Sequence, residues 1–536
     1  MIYINQFFLS ILNQLKKIYL NSDFYDRKIS KVTDNPLVYK PSPHLLSSLI
    51  KYQKKKFKIE DFSKKDLWIN KKLSKKEFKN LNSFYWFFSL DLKSSKQATQ
   101  SIITYWIENN NKYNHKSWDF DITAKRIIAW LSCYNLTYDE SEQSYKSNFN
   151  KIIQKQTNHL INEINKSKLI DDKLIGCSSI ILVGLCYQNE KKYLSYGSSL
   201  LKKISKIVLD NYGFPKSRSI KQLIFYLKYF ILIREWFKEA QRNIPEHIDE
   251  TIYYLSRGYT FFKTDSNHDF LFNGNNISSK EEFDNYLKRL GYKFKNENHE
   301  FGGYILLKNK KTCLIMDAGP SPNYKHSRDY QSGALSFEII SEGNKLISNC
   351  GYYIENNSKL NLISKSSAAQ STLVINDSSS CKLKKVSDFF LIKDGLKIIK
   401  KNTIFEKNYW KISASHDGYL KKYNSIHERE IEFFPDQMNF IGNDKIIKKK
   451  INYHYKFDIR FHVEPNVKLM KTQDSKAILI ELKDEGWKFT CNNFNINIDN
   501  GLYFGNKNLY TKNQNINITG ISNNQVENIR WEIKKI

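Results

Sequence analysis

Three short phrases hold the side chains best suited to proton transfer and anion binding: SHDGY with HERE shortly after it, YGFPKSRS, and PNYKHSRDYQ. His416, Tyr419, His326 and Tyr330 supply imidazole and phenol groups, which exchange protons in general acid–base catalysis. Tyr226, on the helical run that follows Arg218, is a further candidate. Arg218, Arg429 and Arg460 carry guanidinium forks suited to a bidentate grip on carboxylate or sulfate. Arginine is scarce here, with 11 among 85 basic residues. Gln331 and Gln370 are neutral amides that hydrogen-bond a carboxylate but accept no proton at neutral pH.

Each of these has a plain structural alternative. His416 beside Asp417 fits a hydrogen-bonded structural histidine or part of a metal site as well as an acid or base. Tyr226 lies among Phe225, Leu227, Tyr229 and Phe230, a setting that favours core packing. His326 and Tyr330 fall in a polar loop, where solvation is ordinary. Arg218 follows Ser217 at the head of a helix, where a cap or an ion pair competes with substrate grip.

The elements that must position these groups change character along the chain. From about residue 80 to 265, apolar residues recur at helical spacing. In FDITAKRIIAWLSCY one wide stripe is made by Ile122, Ile127, Ile128, Trp130, Leu131 and Tyr134, with Asp121 as the expected N-cap. From about Gly302 the runs shorten and alternate, broken by Lys-Asn-Lys, Glu-Gly-Asn and Lys-Asp-Gly as hairpin loops would be. The spacing predicts an N-terminal extension (1–79), a helical domain (80–267), a connector (268–300) and an antiparallel β-sandwich (301–536).

The chain of 536 residues is 40% hydrophobic, enough to bury several cores. Its formal net charge of +30 comes mostly from lysines scattered along the sequence, which reads as a solvated surface first and an anion-attracting field second. No C2H2 spacing, RNP-like motif or P-loop accompanies the charge, so no nucleic-acid partner is expected. Seven dispersed cysteines form no CxxC pair, which excludes a zinc ribbon and a disulfide scaffold. Near the N-terminus, Ile4, Phe7, Phe8, Ile11, Leu12, Leu15 and Ile18 share helical spacing, an amphipathic helix by first reading and an export signal or membrane-surface anchor by the alternatives. No transmembrane run is present.

Several blocks, taken in order, resemble the heparinase II/III-like family. They are a helical phrase with Trp118, Asp121, Arg126 and Trp130; YGFPKSRSIKQL with Gly213, Ser217 and Arg218; and DYQSGALSFEIISEGNKLISNCGYY followed by SKSSAAQSTLVIND. SHDGY with His427 and Arg429, and RFHVEP with Arg460 and His462, complete the set. The resemblance implies an (α/α) toroid followed by an antiparallel β-sandwich, with an anionic polysaccharide as partner and the cell envelope or periplasm as location. It also implies β-elimination on a uronic-acid-containing glycan, with His416, Tyr419, Tyr226 and His326 as candidates for proton transfer. Arg218, Gln331, Gln370, Tyr330, Arg429 and Arg460 are then the substrate-binding candidates. Gln331, Gln370 and Pro215 stand where relatives place histidines, so the alternative is a glycan-binding or polysaccharide-assembly protein of the same fold with impaired chemistry. Some relatives hold zinc or calcium through histidines and an aspartate. With Asn349 at the aspartate position, and only His416 and His462 near, no metal or other cofactor is expected.

Overall fold

The computed structural model describes residues 11–12, 14–33, 35–47, 49, 73–90, 94–187, 191–264, 268–277, 281–355, 358–450, 454–506 and 509–536. They divide into two compact units that interleave in sequence: Met1–Ile207, Tyr226–Tyr253 and Glu281–Tyr292 in the first, Val208–Phe225, Tyr254–Lys280 and Lys293–Ile536 in the second. YGFPKSRS thus belongs to the sheet-bearing unit, a membership that helical periodicity does not reveal.

The first unit is built from helices, among them Lys96–Asn110, Phe120–Ser132, Gln143–Glu163, Ile170–Cys186 and Lys191–Val208. Phe120–Ser132 buries Ile122, Ile127, Ile128, Trp130 and Leu131, the stripe expected from its periodicity. Its N-cap is Asp119, whose carboxylate accepts the Phe120 N–H at 3.0 Å, rather than Asp121. Asp121 lies within the first turn and pairs with Lys79 and Lys125. Arg126 on the same helix is wholly buried. It donates to the carbonyls of Asn82 and Ser117 and to Gln156 Oε1, and lies 4.0 Å from the Trp106 ring centroid. Cys177 and Cys186 are free, buried thiols.

The second unit holds five-, eight- and four-stranded antiparallel sheets and a two-stranded hairpin. The three larger sheets share one core, with Trp410, Phe433, Phe440, Phe461, Trp487 and Trp531 among its members. In strand Ser425–Phe434 burial alternates strictly, so His427 and Arg429 face inward with Ile431 and Phe433. Strand period alone puts these two polar residues into the core. The neighbouring strand Asn439–Lys448 sends Phe440, Gly442, Asp444 and Ile446 the same way and sets Asp444 opposite Arg429. Gly442 is obligatory, since a Cβ there would lie 1.9 Å from the Trp531 ring.

Candidate functional site

A cavity of about 670 Å³ in the second unit opens beside YGFPKSRS. The loop is fixed first by its own hydrogen bonds. Asp210 Oδ1 accepts the N–H groups of Tyr212 and Phe214 at 2.9 and 2.8 Å. Gly213, at φ +79°, leaves no room for a Cβ against Tyr254. Arg218 sits in left-handed backbone at φ 59°, a conformation that costs free energy for a non-glycine residue and persists only when its surroundings over-determine it.

Those surroundings are two glycine-bearing loops and a carboxylate. The Arg218 guanidinium donates to the carbonyls of Gly302, Gly303, Gly319 and Pro320 at 3.1 to 3.3 Å and to Asp317 Oδ1 at 2.7 Å. The Tyr304 ring centroid lies 4.8 Å from it, and the Tyr304 hydroxyl donates to the Arg218 carbonyl. A Cβ on Gly319 would come within 2.4 Å of the guanidinium, so the glycines are what let two loops close on it. Burial opposes the charge, but Asp317 more than offsets it and holds Arg218 protonated. Arg218 is thus the pin of the cavity wall, its donors committed to protein.

Groups facing the cavity from this frame include Lys216, Arg257, Lys401 and Glu300, with Lys401 and Glu300 paired. Tyr212, which the sequence reading passed over, lines it with 75% of its surface exposed. An exposed tyrosine in the tight DNYG turn was the signal that could have found it. Asn323 at the edge starts a single turn, Tyr324–His326. His326 is half-buried; burial and the charges of Lys216 and Lys325 lower its pKa, so the imidazole is neutral at pH 7.

His416, His427 and Arg429 meet elsewhere, inside the eight-stranded sheet. Gly418 N–H donates to His416 Nδ1 at 3.0 Å, so neutral His416 carries its proton on Nε2. That nitrogen lies 3.2 Å from His427 Nδ1, and His427 Nε2 lies 2.7 Å from Asp444 Oδ1. Donation therefore runs one way, from Gly418 to His416 to His427 to Asp444. Asp444 also receives two bonds from Arg429 and one from Trp531 Nε1. Arg429 completes its set on the carbonyls of Leu335 and Ser371. Burial lowers both histidine pKa values, while Arg429 and His427 outweigh the burial of Asp444 and hold it ionised. Tyr419 is also interior, its hydroxyl donating to the Leu373 carbonyl at 2.7 Å.

Gln331 and Gln370 meet at one acceptor, both amides donating to the Ser364 carbonyl at 2.6 and 3.2 Å. Gln331 also donates to Gly351 O, and its Oε1 accepts the Gly274 N–H. Asn349 donates to Glu338, and its Oδ1 accepts the Ser371 N–H. No cluster of metal-ligating residues occurs among the described residues. His462 is tied by Ala368 O, Asn515 and Cys350.

The remaining candidates lie apart. Tyr330 packs in a satellite core with Cys381 and Leu396, and burial pushes its ionisation well above the usual range. Arg460 sits on strand Tyr455–His462, opposite Asn517. Tyr226 is buried on helix Ile220–Glu239, in the first unit. Of the residues singled out from sequence, the cavity takes Arg218 into its wall, and His326 lies three residues beyond the lining residue Asn323. The others are spread through interior networks.

The architecture is an (α/α) toroid followed by an antiparallel β-sandwich. Residues 297–532 match the family described as Heparinase II/III-like, C-terminal. Among solved structures it is similar to a heparinase III at 14% identity, covering 96% of this chain and 89% of that one with a TM-score of 0.67. It is also similar to heparan sulfate lyase HepC from Pedobacter heparinus at 11% identity, covering 96% and 87% with a TM-score of 0.64. No curated protein matches the sequence.

Proposed function

We propose that this protein cleaves a uronic-acid-containing anionic polysaccharide by β-elimination at the cavity beside YGFPKSRS. The observation that carries this reading is a cavity lined by Lys216, Arg257 and Asn323, where Asn323 caps the short turn that holds His326. Lys216 and Arg257 neutralise the substrate carboxylate, so that charge developing at C5 is stabilised. His326 takes the C5 proton; the C–H electrons form the C4–C5 double bond and the C4–O4 bond breaks. The imidazolium then returns its proton to O4. Tyr212 offers a flat face for a sugar ring, and Arg218 keeps the wall in place without touching substrate. The resemblance to heparinase III and to a heparan sulfate lyase supports the substrate class.

The test is absorbance of the unsaturated product over a panel of uronate polysaccharides. His326→Ala should lower kcat by about 10²-fold or more with KM little changed, and Lys216→Ala should act mainly on KM. Cleavage that survives His326→Ala would remove His326 from the mechanism. Saturable binding without cleavage by the native chain would replace the lyase reading with a glycan-binding one.

A further inference from the structure

The helical residues 11–12 and 14–20 carry a feature that glycan cleavage leaves unused. Leu12, Leu15 and Ile18 are 58%, 57% and 69% exposed, and Ile11 and Tyr19 lie beside them. At about 100° per residue these five fall within an arc of roughly 120°, a continuous apolar stripe turned to solvent. Phe24, on the next helix (Asp23–Ile29), extends it, with its ring centroid 6.4 Å from that of Tyr19. The opposite side ties the helix to its own unit through buried Leu20 and the Lys16–Glu163 ion pair at 3.1 Å.

Charge decides what can cover the stripe. Asp23 and Asp26 are paired with Lys112 and Lys155. Lys17, Arg27, Lys28 and Lys31 have no ion pair among the described residues. Arg27 and Lys28, three and four residues beyond Phe24 on the same helix, therefore flank that end of the stripe as unpaired cations, on a chain of net charge +30. Two copies of such a chain repel, whereas an anionic surface attracts it. An apolar face flanked by Lys and Arg suits the boundary between lipid headgroups and acyl chains. No described helix is long and apolar enough to cross a membrane, so the mode is lying on the surface.

We propose that the apolar stripe of Ile11, Leu12, Leu15, Ile18 and Tyr19, with Phe24, seats this protein on an anionic lipid bilayer. The experiment is co-sedimentation of the full chain with phosphatidylcholine vesicles, with and without phosphatidylglycerol. Binding should require phosphatidylglycerol and weaken with salt. The triple variant Leu12→Ser/Leu15→Ser/Ile18→Ser should bind at least about tenfold more weakly, with its circular dichroism and unfolding midpoint unchanged. Lys17→Glu/Lys28→Glu, which spares the apolar stripe, should bind several-fold more weakly. The proposal is overturned if the native chain ignores phosphatidylglycerol vesicles or if both variants bind as it does. It is equally overturned if the stripe variants instead abolish a dimer seen by ultracentrifugation.

Discussion

The sheet interior around Asp444 and the cavity beside YGFPKSRS use the same side-chain types to opposite ends. In the interior, His416, His427, Arg429 and Asp444 satisfy one another completely, with no group facing water. At the cavity, Arg218 is equally committed, yet Lys216, Arg257 and Tyr212 around it line the opening. The difference teaches that a motif arginine or histidine marks a position of high constraint, and that what surrounds it decides whether the constraint serves folding or binding. A polar network closed on every side is a clasp, whereas one that pins a glycine-rich wall holds a cavity open beside it.

The sharpest way to break that contrast is Asp444→Ala. It strands Arg429 and His427 without a counter-charge, and should cost about 3–5 kcal/mol, read as a lower urea midpoint. A loss under about 1 kcal/mol would mean that the clasp is not one. Arg218→Lys comes next. A single ammonium cannot serve four carbonyls and Asp317, and the buried acceptors left behind should cost about 2–3 kcal/mol. Glycan affinity should fall with stability in this variant, because the wall moves.

Acid should separate the regions further. Burial holds His159 and His462 at about 4, and His416 and His427 below their ordinary value. The unfolded chain protonates these imidazoles near pH 6.5, so below that pH it binds more protons than the fold. Stability should therefore be level above about pH 6.5 and decline from there toward pH 4, by up to about 1.4 kcal/mol per pH unit for each histidine. Denaturation midpoints at pH 5 and 7 check this, and His462→Gln should flatten the slope. The smallest effect belongs to Tyr212→Ala. Stability should stay within about 0.5 kcal/mol, while glycan affinity falls roughly two- to tenfold, as expected for one lost aromatic face.

Much of the fold was legible because burial follows period. The stripe in FDITAKRIIAWLSCY and the alternation in SIHEREIEFF each determine which residues face the core, and so place Trp130, His427 and Arg429 inside. The same parity in NFIGNDKIIK marks Asp444 as an acid facing the core, a signal the sequence reading left unused. The cap of helix Phe120–Ser132 was misread by two residues, because Asp119 and Asp121 have the same chemistry and only backbone direction distinguishes them.

The site was legible in part. Arg218 and His326 were named from residue type and local phrase; Arg218 lies in the wall of the proposed site, and His326 on the turn that follows its lining residue Asn323. His416 and Tyr419 look equally reactive in one dimension, yet the register of His416 with His427 and the reach of Tyr419 to Leu373 draw both inward.

By itself the sequence determined the order of helical and strand regions, the inward parity of each strand, and the stock of groups able to move protons. Only the tertiary structure decided which of those groups keep a free face. That depends on contacts between residues as far apart as Arg218 and Asp317, or Gln331 and Ser364. The periods of helix and strand act over a few residues, whereas hydrogen-bond saturation is settled by whatever the fold brings alongside.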